Sequence, residues 1–220
     1  MVNILLEGYD IGASYLYDGL KKYLRCGMTV AVVAFAFRDD RIRSAADWNG
    51  LYGREDGKYY RGIVDGFASY GIIEEDVTFL NYFTDSKEDA RDKVEKADIV
   101  YFLGGLPDRM TERIAEFGLE EAICCKEIVM GYSAGALIQL AEYHLSPDED
   151  YSEFSYYKGL PLLNDFYLEV HYVGSEVQKE SICRVLSERK KKVYATEYGR
   201  GAVVVCDGRI TLLGDVKEFI

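Results

Sequence analysis

Ile128-Val129-Met130-Gly131-Tyr132-Ser133-Ala134-Gly135-Ala136 is the stretch whose reading decides the fold. An apolar run reads as a buried strand, and the glycines two before and two after Ser133 let the chain turn sharply into a helix. That turn leaves the serine exposed at the strand's end. Backbone N–H groups at the start of the new helix face the same spot, where they could stabilise an oxyanion. The same pattern also describes a glycine-rich turn whose serine merely caps the helix. The remainder of the chain has to decide between nucleophile and cap.

Upstream, Asp98 to Leu103 reads as another buried strand, ending in Gly104-Gly105-Leu106-Pro107, with Pro107 at the entrance of a helix that runs to Phe117. Earlier still, Asn3–Leu6, Met28–Ala34 and Val77–Leu80 read as strands. Helical spacing marks Leu16 to Leu24, Tyr59 to Tyr70 and Lys87 to Lys96. Downstream, Ala134 to Tyr143 reads as the helix behind the serine. Phe166 to Val170 is a strand delivering His171, Ser175 to Glu188 a helix, and Val193 to Thr196 a strand ending at Glu197. Ala202–Cys206 and Ile210–Leu213 flank Asp207-Gly208, the signal of a hairpin. This order predicts a single α/β domain over 1–220, with a doubly wound, mostly parallel sheet and a C-terminal antiparallel hairpin. In such sheets ligands sit beyond the carboxyl ends of the strands, where Gly104-Gly105 and Ser133 both fall.

Two segments resist a regular reading. Phe37 to Lys58 is rich in Gly, Asp and Arg and lacks clean periodicity, which predicts a long loop. Its cations Arg38, Arg41, Arg43 and Arg54 suit either the reception of a substrate carboxylate or a solvated surface. Leu145 to Lys158 is acidic and tyrosine-rich and reads as an irregular surface excursion.

Composition narrows the function classes. The net charge of −12 would repel a nucleic-acid backbone. No apolar run reaches the ~18 residues of a membrane span, and the start lacks the basic region of a signal peptide, so a cytoplasmic protein with neither nucleic acid nor membrane as partner is expected. Cys26, Cys124, Cys125, Cys183 and Cys206 form no CxxC pair, and their odd number does not suit a closed disulfide framework, so they read as reduced thiols. With His144 and His171 the only imidazoles and no HExxH motif, neither a metal nor another cofactor is expected.

A serine hydroxyl needs a base in hydrogen-bond reach and a third group to orient that base. His144 falls about three helical turns from Ser133, some 15 Å away at ~1.5 Å per residue, and reads as a helix-end histidine. His171, at a strand end, is the better base. Glu197, also at a strand end and followed by Tyr198-Gly199-Arg200-Gly201, is the first choice of acid, with Asp148 and Asp165 in reserve. The order Ser, His, Glu differs from the α/β-hydrolases, where the acid precedes the histidine.

Gly131-Tyr132-Ser133-Ala134-Gly135-Ala136, the upstream Gly104-Gly105, His171 and the Glu197 segment together resemble the peptidase E family of serine peptidases, which includes the cyanophycinases. The resemblance implies a three-layer fold similar to class I glutamine amidotransferases, of the flavodoxin-like kind. It also implies a Ser133-His171-Glu197 triad, with oxyanion donors at the backbone of Gly105 and Ala134. The substrate class it implies is small peptides, including Asp-X dipeptides cleaved after an N-terminal aspartate. Such cleavage calls for a cation, for which Lys179 and Arg54 are the candidates here; lysine, however, lacks the bidentate fork of arginine. Another acyl hydrolase on the same scaffold, an esterase or amidase, and a noncatalytic binding relative are the alternatives. A monomer or homodimer is expected.

Overall fold

The computed structural model describes residues 1–220. In chain order its elements are β1 (Val2–Leu6), α1 (Ser14–Leu20), β2 (Val30–Val33), α2 (Ala45–Tyr52), α3 (Tyr60–Ala68), β3 (Val77–Leu80), α4 (Lys87–Lys96), β4 (Ile99–Phe102), α5 (Pro107–Phe117), α6 (Glu120–Cys124), β5 (Ile128–Tyr132), α7 (Ala134–Leu137), β6 (Glu142–Leu145), β7 (Ser155–Lys158), β8 (Phe166–Tyr172), α8 (Glu176–Arg189), β9 (Lys192–Cys206) and β10 (Arg209–Phe219). The central strands are short apolar runs with no polar alternation, so successive side chains need cover on both faces of the sheet. Leu5, Val33, Val100 and Phe102 pack on the side of α4, α5, α6 and α7. Ile4, Leu6, Val32, Ile99 and Tyr101 pack on the side of α1, α2 and α3. The result is a three-layer α/β architecture.

The sheet has eight strands, ordered β3-β2-β4-β5-β1-β9-β10, with β8 pairing β9 beside the tip of β1. The strands β3, β2, β4, β5 and β1 run parallel. β9 runs antiparallel to β1 along 202–206, while its first half, 192–197, extends past the tip of β1 and pairs with β8 in parallel. This extension brings the end of β8 over the carboxyl ends of β1 and β5. The expected hairpin at Asp207-Gly208 forms, but its arms are longer than the spacing predicts. The segments 193–196 and 202–206 join into one strand, and β10 continues to Phe219.

Three other expectations are corrected. Residues 37–58 hold a helix, α2, capped by the Ser44 side chain accepting from the Asp47 N–H. The helix behind Ser133 is short and ends at Leu137, and Glu142–Leu145 forms a strand paired with Ser155–Lys158. His144 therefore lies in a buried strand and not at a helix end. No helix is long and apolar enough to cross a membrane.

Candidate active site

The turn from β5 to α7 is possible only because the chain touches itself closely. A Cβ on Gly131 would meet the Gly135 carbonyl oxygen at 2.4 Å, and a Cβ on Gly135 would meet that of Phe102 at 2.4 Å. Between the glycines, Ser133 adopts φ 52° and ψ −117°, a strained conformation for a residue with a side chain. Its N–H is held by the Leu6 carbonyl at 3.0 Å. The hydroxyl makes no capping bond to α7. It lies instead 2.7 Å from His171 Nε2, which removes the cap reading of the motif.

Glu7, the residue that follows β1, meets the other face of His171. Its Oε1 is 2.5 Å from His171 Nδ1, and its Oε2 accepts from the His171 backbone N–H at 2.8 Å and from the Thr196 hydroxyl at 2.8 Å. The Glu7 side chain is 1% exposed and that of His171 46%. A buried carboxylate is expensive unless its lone pairs are filled, and here both oxygens are. The same contacts act on the imidazole. Burial pulls the His171 pKa down, but the hydrogen bond and charge of Glu7, helped by the charges of Glu169 and Asp148, outweigh it and leave the pKa above the ordinary histidine value.

Glu197 does not join this chain of contacts. Successive strand residues face opposite sides, so with Thr196 pointing inward to Glu7, Glu197 points outward, where it pairs with Lys217 at 2.6 Å. Of the reserve acids, Asp148 spends Oδ1 on the N–H groups of Asp150 and Tyr151. Asp165 is exposed and forms no hydrogen bond or ion pair with either histidine. The sequence signal for Glu7 was its place straight after an apolar strand, the same signal that marked His171. What was missing was the position of β1 between β5 and β9.

His144 is completely buried. Its Nε2 is 2.7 Å from Glu169 Oε2, and the Ser146 hydroxyl donates to the same carboxylate at 2.9 Å. This group lines a cleft of about 250 Å³ beside His171, together with Leu137, Asp148 and Gln178.

Gly105 follows β4 with φ 137°, a conformation that suits glycine, and its N–H donates to no acceptor in the chain. A Cβ there would meet the Ala36 carbonyl at 2.2 Å. Arg113, buried in α5, fixes the neighbouring segment by donating to the carbonyls of Phe35 at 2.6 Å and Phe37 at 2.8 Å. Ala134, directly after Ser133, opens α7, where the first N–H groups have no carbonyl one turn back.

The two candidate substrate cations lie elsewhere. Arg54 pairs with Glu74 at 2.8 Å in a cleft that contains neither Ser133 nor His171. Lys179 pairs with Glu176 at 2.7 Å on the exposed side of α8 and does not line the cleft beside His171. Arg38 pairs with Asp40 and Asp150. An aromatic ring, Tyr198, stands beside His171 instead. The Tyr198 ring, 71% exposed, is 5.7 Å from that of His171, and the Tyr9 ring, 64% exposed, is 6.3 Å from that of Tyr132. No three His, Cys, Asp or Glu side chains converge as a metal-ligand set. The five cysteines are unpaired.

The sequence model of Peptidase family S51 matches residues 53–213, more than half of the chain. No curated protein sequence matches it. Among solved structures it resembles a candidate peptidase E protein from Listeria monocytogenes EGD-e at a TM-score of 0.66 and 18% identity, covering 97% of this chain and 98% of that one. It also resembles a peptidase from an acI-B1 Actinobacterium at a TM-score of 0.63 and 15% identity, covering 99% of this chain and 93% of that one. At these identities the likeness carries the fold.

Proposed function

The chain belongs to peptidase family S51, and from that membership and the contacts of Ser133 we propose that it is a serine peptidase of the peptidase E type acting on small peptides. The observation that carries this reading is the unbroken sequence of contacts from the Ser133 hydroxyl through His171 to Glu7. In the proposed reaction Ser133 Oγ attacks the peptide carbonyl carbon while His171 Nε2 takes the hydroxyl proton. Glu7 holds the Nδ1–H tautomer and stabilises the imidazolium that forms. The Gly105 and Ala134 N–H groups receive the charge on the carbonyl oxygen. The C–N bond then breaks as His171 gives its proton to the leaving amine, leaving an acyl-enzyme. A water deprotonated by the same imidazole attacks that ester and returns Ser133.

Asp-X dipeptides need a cation for the aspartyl side chain, and the candidates Lys179 and Arg54 are engaged with glutamates away from the serine. Beside His171 stands the exposed ring of Tyr198, and the carboxylates of Glu7, Glu169 and Asp148 bear on the imidazole. A neutral, aromatic or apolar residue on the acyl side suits this surface better than an acidic one. The test is a panel of dipeptides and matched esters, assayed with wild type and Ser133→Ala. The proposal expects Phe-X or Tyr-X to be cleaved faster than Asp-X, with all turnover lost in the variant. Ester cleavage without any peptide cleavage would move the assignment to another acyl hydrolase. Activity retained in Ser133→Ala would overturn the serine mechanism.

A further inference from the structure

His171 reaches Ser133 only because its own backbone is bent out of the strand. Its φ is 54°, left-handed, in a residue with a bulky ring, and it lies where the β8–β9 register slips between Glu169 and Tyr172. Side chains rarely adopt this conformation unless surrounding contacts enforce it. The N–H of His171 is fixed by Glu7. Its carbonyl is fixed by Gln178, whose Nε2 donates to it at 2.9 Å. The other end of the same amide, Oε1, accepts from the Val173 N–H at 3.0 Å, so one side chain closes the turn leading from His171 into α8.

The sequence of this turn has the form of an ordinary helix cap. Ser175 is the N-cap of α8 and accepts from the Gln178 N–H at 3.3 Å, with Gln178 at the third helical position. In a capping box the glutamine side chain reaches back to the N–H of the cap residue. Here it bypasses that N–H: Oε1 accepts from the Ser175 hydroxyl at 3.4 Å as well as from Val173, and Nε2 reaches on to His171.

We propose that Gln178 is a positioning residue for the base: its carboxamide holds the left-handed backbone of His171 and thereby keeps Nε2 within reach of the Ser133 hydroxyl. This rests on the reading of Ser133 and His171 as nucleophile and base. A residue that only capped α8 would be replaceable by glutamate, which suits that helical position and the positive end of a helix. A positioning residue would not, because glutamate cannot donate to the His171 carbonyl. Gln178→Glu therefore separates the two roles, and Gln178→Met, neutral and of similar length, controls for the added charge.

The experiment measures the rate at which a fluorophosphonate probe modifies Ser133 in the full-length chain, with thermal midpoints and the downfield proton resonance of His171 Nδ1–H recorded beside it. The expected result is labelling slowed by about tenfold or more in both variants. The thermal midpoint of Gln178→Glu stays near wild type, and the Nδ1 resonance is broadened or lost. Both variants labelling at the wild-type rate beside an unchanged resonance overturns the inference while leaving the hydrolase reading intact. A wild type that takes no label at Ser133 removes the premise, and the inference with it.

Discussion

Glu7 Oε1 lies 2.5 Å from His171 Nδ1, although the two residues are 164 positions apart in the chain. The distance is closed by the sheet: β1 places Glu7 at its carboxyl tip, and the part of β9 that extends past this tip carries the end of β8, with His171, over it. Because Oε2 is already filled by the Thr196 hydroxyl and the His171 N–H, Oε1 is the oxygen left for the ring. The imidazole is thereby fixed in both its tautomer and its direction.

Replacing Glu7 by glutamine keeps the shape and removes the charge. Loss of an orienting carboxylate in a serine mechanism costs on the order of 10²–10⁴ in turnover, and Glu7→Gln is expected within that range. Glu197→Gln, which disturbs only a surface pair with Lys217, should leave kcat/KM within about twofold, since exposed ion pairs are worth about 1 kcal/mol or less. Steady-state kinetics on the best substrate of the dipeptide panel checks both.

The pH profile follows from the raised His171 pKa. Only the neutral imidazole accepts the Ser133 proton, so kcat/KM should fall as pH drops through a value above the ordinary ~6.5 of histidine. In Glu7→Gln burial acts with less opposition, and the acid limb should move to lower pH. For stability the sign is opposite. The favourable interaction of His171 with Glu7 is fully present below the unfolded histidine pKa and is lost as pH rises through the folded value. A kcat/KM profile whose acid limb lies below 6.5 in wild type would contradict the electrostatic account.

Ser133 stores backbone strain at its positive φ. Ser133→Gly should therefore raise stability, by about 1 kcal/mol, while abolishing turnover, because glycine occupies positive φ at little cost. Denaturant unfolding of the two proteins measures the difference. A less stable glycine variant would mean that the Ser133–His171 hydrogen bond outweighs the strain.

His144 and Glu169 form a buried pair in which each partner depends on the other. His144→Ala would leave the Glu169 carboxylate with only the Ser146 hydroxyl, a loss of about 3–5 kcal/mol. Glu169→Gln, which keeps a polar partner for the ring, should cost less. Urea midpoints of the two variants give the ordering.

The parallel strands, the serine turn and the histidine that meets it could be read along the chain because each is a local pattern: an apolar run, small residues at fixed spacing, a histidine at a strand end. The carboxylate that meets His171 could not. Glu7 and Glu197 both follow apolar strands, and what separates them is sheet order and the face each residue takes. The strand β9 runs on through Glu197 to Cys206, so a presumed strand end is a mid-strand position with Thr196 facing inward. His144 falls in a strand for a related reason: apolar residues after Ser133 suit a helix and a buried strand alike, and past Leu137 the carbonyls of Ile138 and Gln139 accept from Leu160 and Leu163 rather than continuing the helix. Gln178 was hidden because Ser175-x-x-Gln178 is a sufficient helix start without it.

The most direct test of the Ser133–His171–Glu7 arrangement is the rate of fluorophosphonate modification at Ser133, located by peptide mass spectrometry, in wild type, Glu7→Gln and Glu197→Gln. The arrangement predicts rapid labelling of wild type and Glu197→Gln, with Glu7→Gln slowed by about 100-fold or more. Equal labelling of Glu7→Gln and wild type, or slow labelling confined to Glu197→Gln, would contradict it.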